Sequence, residues 1–458
     1  MATVEIPSAP QGNPLSIVGY FDALGRAAAA LAYCGILVFT YHFMSGFWAY
    51  IGLRDIGLSV SELALLCILA ACPALLLSST NNNLGHYIVW IVYYTVCIPS
   101  ILIPPMQAFS SSGRILLDEG LVFIATIILI VGTRNDGHPL RMIRIRREYF
   151  WTALLTMWAI LNLFVIFAFG NILHLASFAE VYDQRYLGAA VADTSYIAYL
   201  IGALTGAFNP FLISVGVTRR KWLLLALGLL SQILMYMTVA LRAVLLSTIL
   251  IPAAALLLVR RDSIQSYRVG YGMLAISIAM LGLLPFYTLD GSLLSDIVSL
   301  VVVRTLEMPG VLFGAYSDFF SQYPITLYSH SIVGRYFSSY PYGNLQIGQV
   351  IGQYLVQDQS LESLDANAHF MATDGVAALG WPGIVTSSIF LMFLLRGLSR
   401  LLGNVDRRVL CGSFIPVIIS ITNSSVLTST LTGGGFLLTV LLYFWHDGDR
   451  AEGASEPA

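Results

Sequence analysis

The chain has 458 residues, of which 57% are hydrophobic and only 10% are charged, and its formal net charge is −2. Soluble domains carry about 25% charged residues, so this composition excludes an ordinary soluble globular protein. The mean hydropathy of +0.78 instead indicates a chain that lies largely within a lipid bilayer.

Apolar runs along the chain predict membrane-spanning helices. A helical run of about 20 residues is long enough to cross about 30 Å of hydrocarbon. Closed β-barrels need short alternating segments, which the sequence does not show. We predict an all-α polytopic integral membrane protein with about twelve transmembrane helices, near residues 27–47, 58–79, 86–106, 115–133, 149–170, 194–216, 222–240, 242–260, 269–288, 376–396, 409–429 and 432–446.

The loops between these spans alternate between basic and non-basic, as the positive-inside rule requires of a correct count. We therefore expect both termini in the cytoplasm. We expect residues 1–26 to form a cytoplasmic segment without a cleaved signal peptide, and residues 447–458 to form a disordered cytoplasmic tail. Of the 23 basic residues, 17 fall on the cytoplasmic side: Arg26, Arg134, Arg141, Arg144, Arg146, Arg147, Arg219, Arg220, Lys221, Arg260, Arg261, Arg268, Arg396, Arg400, Arg407, Arg408 and Arg450.

The apolar stretch Ser292–Leu306 would break this alternation if it crossed the membrane, because the basic loop at 396–408 would then lie outside. It contains Asp296 and Arg304, and we predict an interfacial or re-entrant helix. Residues 27–288 then hold spans one to nine, 289–375 form one large periplasmic loop with short interfacial helices, and 376–446 hold spans ten to twelve. A loop of that length is more often functional than connective.

The six basic residues on the outer side are all arginines. Arg242 begins an apolar helix and Arg304 ends the predicted re-entrant helix, so we expect both at the depth of lipid phosphates. They either snorkel to phospholipid headgroups or bind the pyrophosphate of a lipid-linked substrate through forked guanidinium contacts. Further candidates are Arg185, which Tyr182 and Asp183 could orient, and Arg335; the other two are Arg54 and Arg114.

The large loop is rich in tyrosine, glutamine and asparagine, a mixture of aromatic faces and amides that suits a sugar. It equally suits an outer loop that rests on lipid headgroups. The candidate glycan-binding residues are Tyr182, Tyr316, Tyr336 and Asn367.

The stretch DANAHFMATDGVAALGWPG, residues 365–383, leads directly into span ten. Histidine is the side chain best matched to general-base chemistry near neutral pH, so His369 is either a catalytic base or an ordinary interfacial histidine. The glycines Gly375, Gly380 and Gly383 would let helices pack closely. No aspartate pair with metal-ligand spacing lies in an outer loop and the cysteines show no zinc-ligand spacing, so no metal or other cofactor is expected.

Five stretches together resemble the bacterial O-antigen and exopolysaccharide repeat-unit polymerases of the Wzy type and, more distantly, the O-antigen ligases. They span roughly residues 180–385, in a plausible order, and each match is loose: VYDQRY, NPFLISVGVTRRKW, ALRAVLLSTILIPAAALLLVRR, RTLEMPGVLFGAYSDFF and NAHFMATDGVAALGWPG.

This resemblance implies a metal-independent, inverting glycosyltransferase with a GT-C-like membrane fold in the bacterial inner membrane. It implies transfer of a growing glycan from undecaprenyl pyrophosphate to the non-reducing end of a lipid-linked repeat unit at the periplasmic face. Arg242 and Arg304 match positions implied to bind pyrophosphate, and Arg185 matches a further basic position. His369 matches the acceptor-activating histidine of the ligases, with Asp374 or Asp365 as the alternative bases.

Two other functions remain open at this stage. An O-antigen ligase to lipid A core uses the same donor, and a lipid-glycan flippase or secondary transporter also commonly has twelve spans. The expected partners are the lipid-linked oligosaccharide donor and acceptor, the lipid bilayer and a chain-length regulator, and no nucleic acid is expected.

Overall fold

A computed structural model describes residues 17–80, 83–107, 112–134, 138–140, 143, 145–175, 184, 187–188, 191, 196–260, 263–288, 292–331, 334–356 and 365–445. Nearly all regular structure in these residues is helical. A two-residue antiparallel pair, Val259–Arg260 with Ser263–Ile264, joins two of the helices.

The helices are numbered α1 to α17 in chain order. Eight in the described part of the chain are long and apolar enough to cross a membrane: α1 (Ile17–Ser45), α3 (Leu84–Met106), α5 (Arg147–Phe169), α6 (Tyr196–Thr218), α7 (Trp222–Val239), α9 (Tyr267–Phe286), α10 (Leu293–Gln322) and α13 (Trp381–Leu402). The others are α2 (Val60–Leu76), α4 (Ser112–Gly132), α8 (Arg242–Leu257), α11 (Ile347–Leu355), α12 (Met371–Ala377), α14 (Arg407–Ser413), α15 (Ile415–Ile421), α16 (Thr428–Thr432) and α17 (Gly435–Phe444).

The prediction of an all-α membrane protein is confirmed. The predicted count of twelve spans is not, because only eight helices of the described residues are long and apolar enough to cross a membrane, although each predicted span overlaps a helix. Two differences in the helix boundaries are informative. α1 begins ten residues earlier than predicted and includes Arg26, because that buried side chain finds partners in Asp22 one turn away and in Ser79. The predicted span 409–429 is broken between α15 and α16, where the chain turns through Thr422 to Ser425.

The connections rich in arginine meet at one end of the bundle, here called the basic end. Arg219 pairs with Asp406 at 2.8 Å, and the Leu140 N–H donates to the Arg400 carbonyl at 2.9 Å. The other ends of the same helices form the opposite end, where Ile56 N–H donates to the Met106 carbonyl. The alternation of basic loops in the sequence thus corresponds to a real separation of charge along the bundle.

Helix α10 lies across the opposite end, although its length and hydropathy alone would let it span a membrane. Near its start Ser299 contacts Tyr287 just beyond α9, and further along Gly310 packs directly on Pro99 in the half of α3 nearer this end. Near its end Ser317 donates to Asp118 in the second turn of α4. The predicted interfacial or re-entrant helix at 292–306 therefore continues to Gln322 and forms part of one helix at the opposite end of the bundle.

Helix α10 is π-helical over Ser299–Glu307 and becomes α-helical at Met308. Proline inside an α-helix clashes with the carbonyl four residues earlier, and Pro309 is the second residue after the π-helical section. A wider turn before the proline lets the helix continue past it. The side chain of Arg304 is carried by this π-helical section.

Candidate functional site

A small cleft at the opposite end brings together three segments that are far apart in sequence. One wall comes from α10, the floor from the extended residues that precede α12, and the other wall from the turn that follows α15. Its lining residues are Arg304, Met308, Pro309, Leu312, Asn367, Ala368, His369, Thr422 and Asn423. Two predicted functional residues, Arg304 and His369, therefore share one site together with the predicted glycan-binding residue Asn367.

The segment before His369 is fixed against helix α11. The Ala366 N–H donates to the Gly348 carbonyl at 2.9 Å, and the Asn367 amide donates to the Asp365 carboxylate at 2.7 Å. A Cβ at Gly348 would overlap with the side-chain oxygens of Asp365 and Asn367, so a larger residue there would displace both side chains. Asn367 is thereby held exposed at the cleft.

The hydrogen bonds of His369 define which ring nitrogen is basic. Nε2 lies 3.2 Å from the Pro309 carbonyl and 3.1 Å from the Ser100 hydroxyl. A carbonyl can only accept, so Nε2 carries the proton and Nδ1 keeps its lone pair. No described residue forms a hydrogen bond with Nδ1, which is buried.

Burial also sets the protonation state of His369. The imidazole is fully buried and stacks on Phe313 with ring centres 5.7 Å apart. Desolvation lowers its pKa to about 3, against a smaller rise from the Pro309 carbonyl. The ring is neutral at physiological pH and can accept a proton at Nδ1.

Arg304 is the one charged side chain among the described residues that line the cleft, and it is exposed. The cavity volume is about 10 Å³, roughly the room that one water needs. A pyrophosphate group could enter only if one wall moved outward.

No protein-family model, curated protein or solved structure matches this chain. The resemblance to Wzy-type polymerases stays a prediction. The site must be interpreted from the geometry and chemistry of its own residues.

Asp374 does not line the cleft with His369. It is buried in α12, where its carboxylate accepts the backbone N–H of Val426 at 2.6 Å. Burial raises its pKa to about 6, while hydrogen bonds from Ser425 and Val426 act in the opposite direction. Its position suits a residue that holds the 422–426 turn and does not suit a base in the cleft. Asp365 is exposed beside the cleft and accepts from Asn367.

Arg242 and Arg335 do not line the cleft. Arg242 starts α8 and is half-buried at the same end of the bundle, where α8 packs against α15. Arg335 is exposed with its guanidinium 5.4 Å from the centre of the Tyr336 ring. Arg185 lies outside the described residues, although the amide of its neighbour Gln184 donates to the Met237 carbonyl at 2.7 Å near the end of α7.

The predicted glycan-binding tyrosines have three different outcomes. Tyr316 is fully buried and donates to the Ala366 carbonyl at 3.3 Å, so it supports the cleft from below and offers no surface to a glycan. Tyr336 is 76% exposed and remains accessible. Tyr182 lies outside the described residues.

Thr422, Asn423 and Ser100 were not identified from the sequence. Thr422 and Asn423 fall within the predicted span 409–429, where the hydropathy of the whole run masked the polar stretch Thr422–Ser425. Such a stretch inside an apolar run is the signal of a broken helix that lines a cavity. Nothing in the sequence around Ser100 indicates its contact with His369.

Proposed function

We propose that the cleft binds the pyrophosphate of a lipid-linked glycan and that the protein is a repeat-unit polymerase of the GT-C-like, twelve-span kind. The observation that carries this proposal is the meeting of Arg304 and His369 in one cleft at the end of the bundle opposite the basic end. The glycan chain would be the donor, and a new lipid-linked repeat unit the acceptor.

The charge and depth of the cleft suit such a donor. A lipid-linked pyrophosphate lies at the headgroup level of the bilayer, and an arginine fork can bind two of its oxygens at once. Arg304 would stabilise the negative charge that develops as the bond between the anomeric carbon and the pyrophosphate oxygen breaks.

His369 supplies the complementary proton transfer. The acceptor hydroxyl oxygen attacks the anomeric carbon from the face opposite the pyrophosphate, so the configuration inverts. Its proton passes to Nδ1 of His369, which is held in the accepting tautomer by Pro309. An anion bound beside Arg304 favours the imidazolium form, so donor binding would raise the pKa of His369 towards the range useful for a base.

The cleft has to open before this reaction, because its present volume excludes a pyrophosphate. The two walls come from separate segments, the π-helical part of α10 and the turn after α15. The π-helical geometry is less regular than an α-helix and often occurs where a helix must adjust at a functional site.

The test is chain lengthening by purified protein in detergent, supplied only with lipid-linked repeat units and no ion gradient. We expect wild-type protein to form polymer and Arg304→Ala to form none at equal folded protein. Arg335→Ala is the matched control, since Arg335 is also an exposed arginine beyond the cleft, and it should retain activity.

Two other outcomes would contradict the proposal. Transfer of the glycan to lipid A core without growth of the chain would identify a ligase. Movement of the lipid-linked unit across a vesicle membrane without lengthening would identify a transporter.

A further inference from the structure

The turn between α15 and α16 presents amide and hydroxyl groups to the cleft. The Asn423 amide nitrogen donates to the Ile419 carbonyl at 2.8 Å and to the Thr422 hydroxyl at 3.1 Å. Because the Ile419 carbonyl can only accept, the nitrogen must face it. Both amide hydrogens of Asn423 are therefore used, and its carbonyl oxygen Oδ1 is the atom left for a ligand.

Asn367 on the floor of the cleft is also held in one orientation. Its amide nitrogen donates to the Asp365 carboxylate, which can only accept, and its Oδ1 lies against Gly348 of α11, close to where a Cβ on that glycine would be. Asn423 is therefore the asparagine that offers an acceptor oxygen at the cleft.

The cleft is chemically asymmetric as a result. Arg304 on α10 offers only donors and a positive charge, which suits an anion. Asn423 offers an acceptor oxygen, which repels an anion and suits a group that donates hydrogen bonds. A sugar bonded directly to a phosphate meets both requirements at once. Its hydroxyl or amide groups donate hydrogen bonds, and its phosphate is an anion.

Asp374 holds the turn that carries Asn423. Its carboxylate accepts the Val426 N–H at 2.6 Å, three residues beyond Asn423, and Asp374 lies five residues after His369 on the adjoining helix. Removing this contact would release the turn without touching Arg304 or His369.

We infer that Asn423 forms a subsite for the sugar bonded to the pyrophosphate, with Asp374 as its positioning residue. This inference rests on the proposed function, since it requires a lipid pyrophosphate at Arg304. The cleft would then recognise the first sugar of the donor separately from its phosphates.

The first experiment measures the binding of two short-chain polyprenyl pyrophosphates, one with a single sugar attached and one without, to the full-length protein in detergent. We expect Asn423→Ala to weaken binding of the sugar-bearing ligand by about 3- to 10-fold, the loss of one neutral hydrogen bond. Binding of the sugar-free ligand should not change.

Thr430→Val is the matched control, because its hydroxyl bonds within its own segment to the Val426 carbonyl, and it should alter neither affinity. Equal affinities of the wild-type protein and Asn423→Ala for the sugar-bearing ligand would overturn the inference. Arg304→Ala should weaken both ligands, and an unchanged affinity of this variant would instead overturn the proposed function.

A second experiment tests Asp374 by steady-state kinetics with the lipid-linked donor. Asp374→Asn keeps an oxygen that can accept from Val426, so we expect nearly wild-type KM and kcat. Asp374→Ala loses that acceptor and should raise KM while kcat is largely retained. A loss of kcat in both variants at equal folded protein would show that Asp374 acts as a base and would overturn its positioning role.

Discussion

At the scale of single residues, one backbone carbonyl determines the chemistry available to His369. Pro309 accepts from Nε2 and so leaves Nδ1 as the basic nitrogen, without a hydrogen-bond partner among the described residues. An ordinary interfacial histidine would be solvated, whereas this one is fully buried between α10 and α3. An unsatisfied buried nitrogen destabilises the fold, and function offers a reason for it to be retained.

Replacing Arg304 by lysine tests whether its positive charge is sufficient or whether the forked hydrogen bonds of the guanidinium are needed. Lysine keeps the positive charge but cannot form the two parallel hydrogen bonds of a guanidinium. We expect Arg304→Lys to retain measurable polymer formation at a rate about 10- to 100-fold below wild type, as for the loss of one charge-assisted hydrogen bond. Initial rates with lipid-linked repeat units would measure this, and a lysine variant as fast as wild type would rule out forked binding.

The stability of the protein in acid should depend on His369. A histidine with a pKa of about 3 when folded and about 6.5 when unfolded contributes stability that is fully present above pH 6.5 and is lost as the pH falls towards 3. The loss is about 2 kcal/mol at pH 5. We expect His369→Gln to flatten the fall in melting temperature between pH 7 and pH 5 in detergent.

His330 and Asp374 also titrate between about pH 4 and pH 6. Both are present in wild type and in His369→Gln, so their contributions are the same in the two proteins. Burial lowers the pKa of His330 to about 4, which adds a loss of the same sign. Asp374, with a pKa of about 6, acts in the opposite direction. A His369→Gln variant with the same pH dependence as wild type would show that the folded imidazole is not held neutral by burial.

At the scale of helices, small residues decide how closely α12 and α13 approach. The sequence predicted close packing at Gly375 and Gly383, and a Cβ at Gly383 would overlap with the carbonyl of Gly375. Gly380 between them has φ of +71°, a left-handed conformation that glycine adopts without strain. This tight turn aligns α12, and hence Asp374, beneath the cleft.

The contact at Gly383 can be tested against a glycine of the same helix. We expect Gly383→Ala to lower the free energy of unfolding by about 1–3 kcal/mol, the usual cost of overpacking. Gly397→Ala is the control, because nothing lies within 4 Å of a Cβ there and alanine favours a helix. Melting temperatures in detergent would measure both, and equal values for the two variants would contradict the close contact.

At the scale of the whole molecule, the arginines of the basic end and the cleft lie at opposite ends of the bundle. The contacts of Arg219 with Asp406 and of Leu140 with Arg400 fix the first end. The packing of α10 across α3, α4 and α9 fixes the second. The positive-inside rule then predicts that the cleft opens on the outer side of the membrane.

Cysteine labelling tests this orientation in intact cells. Ser339 is exposed beyond the cleft and Asn404 is exposed at the basic end. With a membrane-impermeant maleimide we expect Ser339→Cys to react in intact cells and Asn404→Cys only after permeabilisation. Unmutated protein controls for the native cysteines. The reverse pattern would place the cleft in the cytoplasm and end the proposal of a periplasmic polymerase.

The sequence by itself determined where the helices lie and which of their ends carry the basic loops. These properties depend on local hydropathy and on the order of charges along the chain, so a single sequence is enough to predict them. The same local averaging hid the polar break at Thr422 and placed the start of α1 too late, because a few polar residues barely change the hydropathy of a long apolar run.

Only the tertiary structure decided which residues meet. Arg304, His369 and Asn423 come from separate segments, and they line one cleft because α10 packs across the ends of other helices opposite the basic end. Tyr316 and Tyr336 were equivalent candidates in the sequence. The structure distinguishes them, because Tyr316 is buried and supports the cleft whereas Tyr336 is exposed. Such contacts arise from the combined packing of distant segments, which no local pattern of residues encodes.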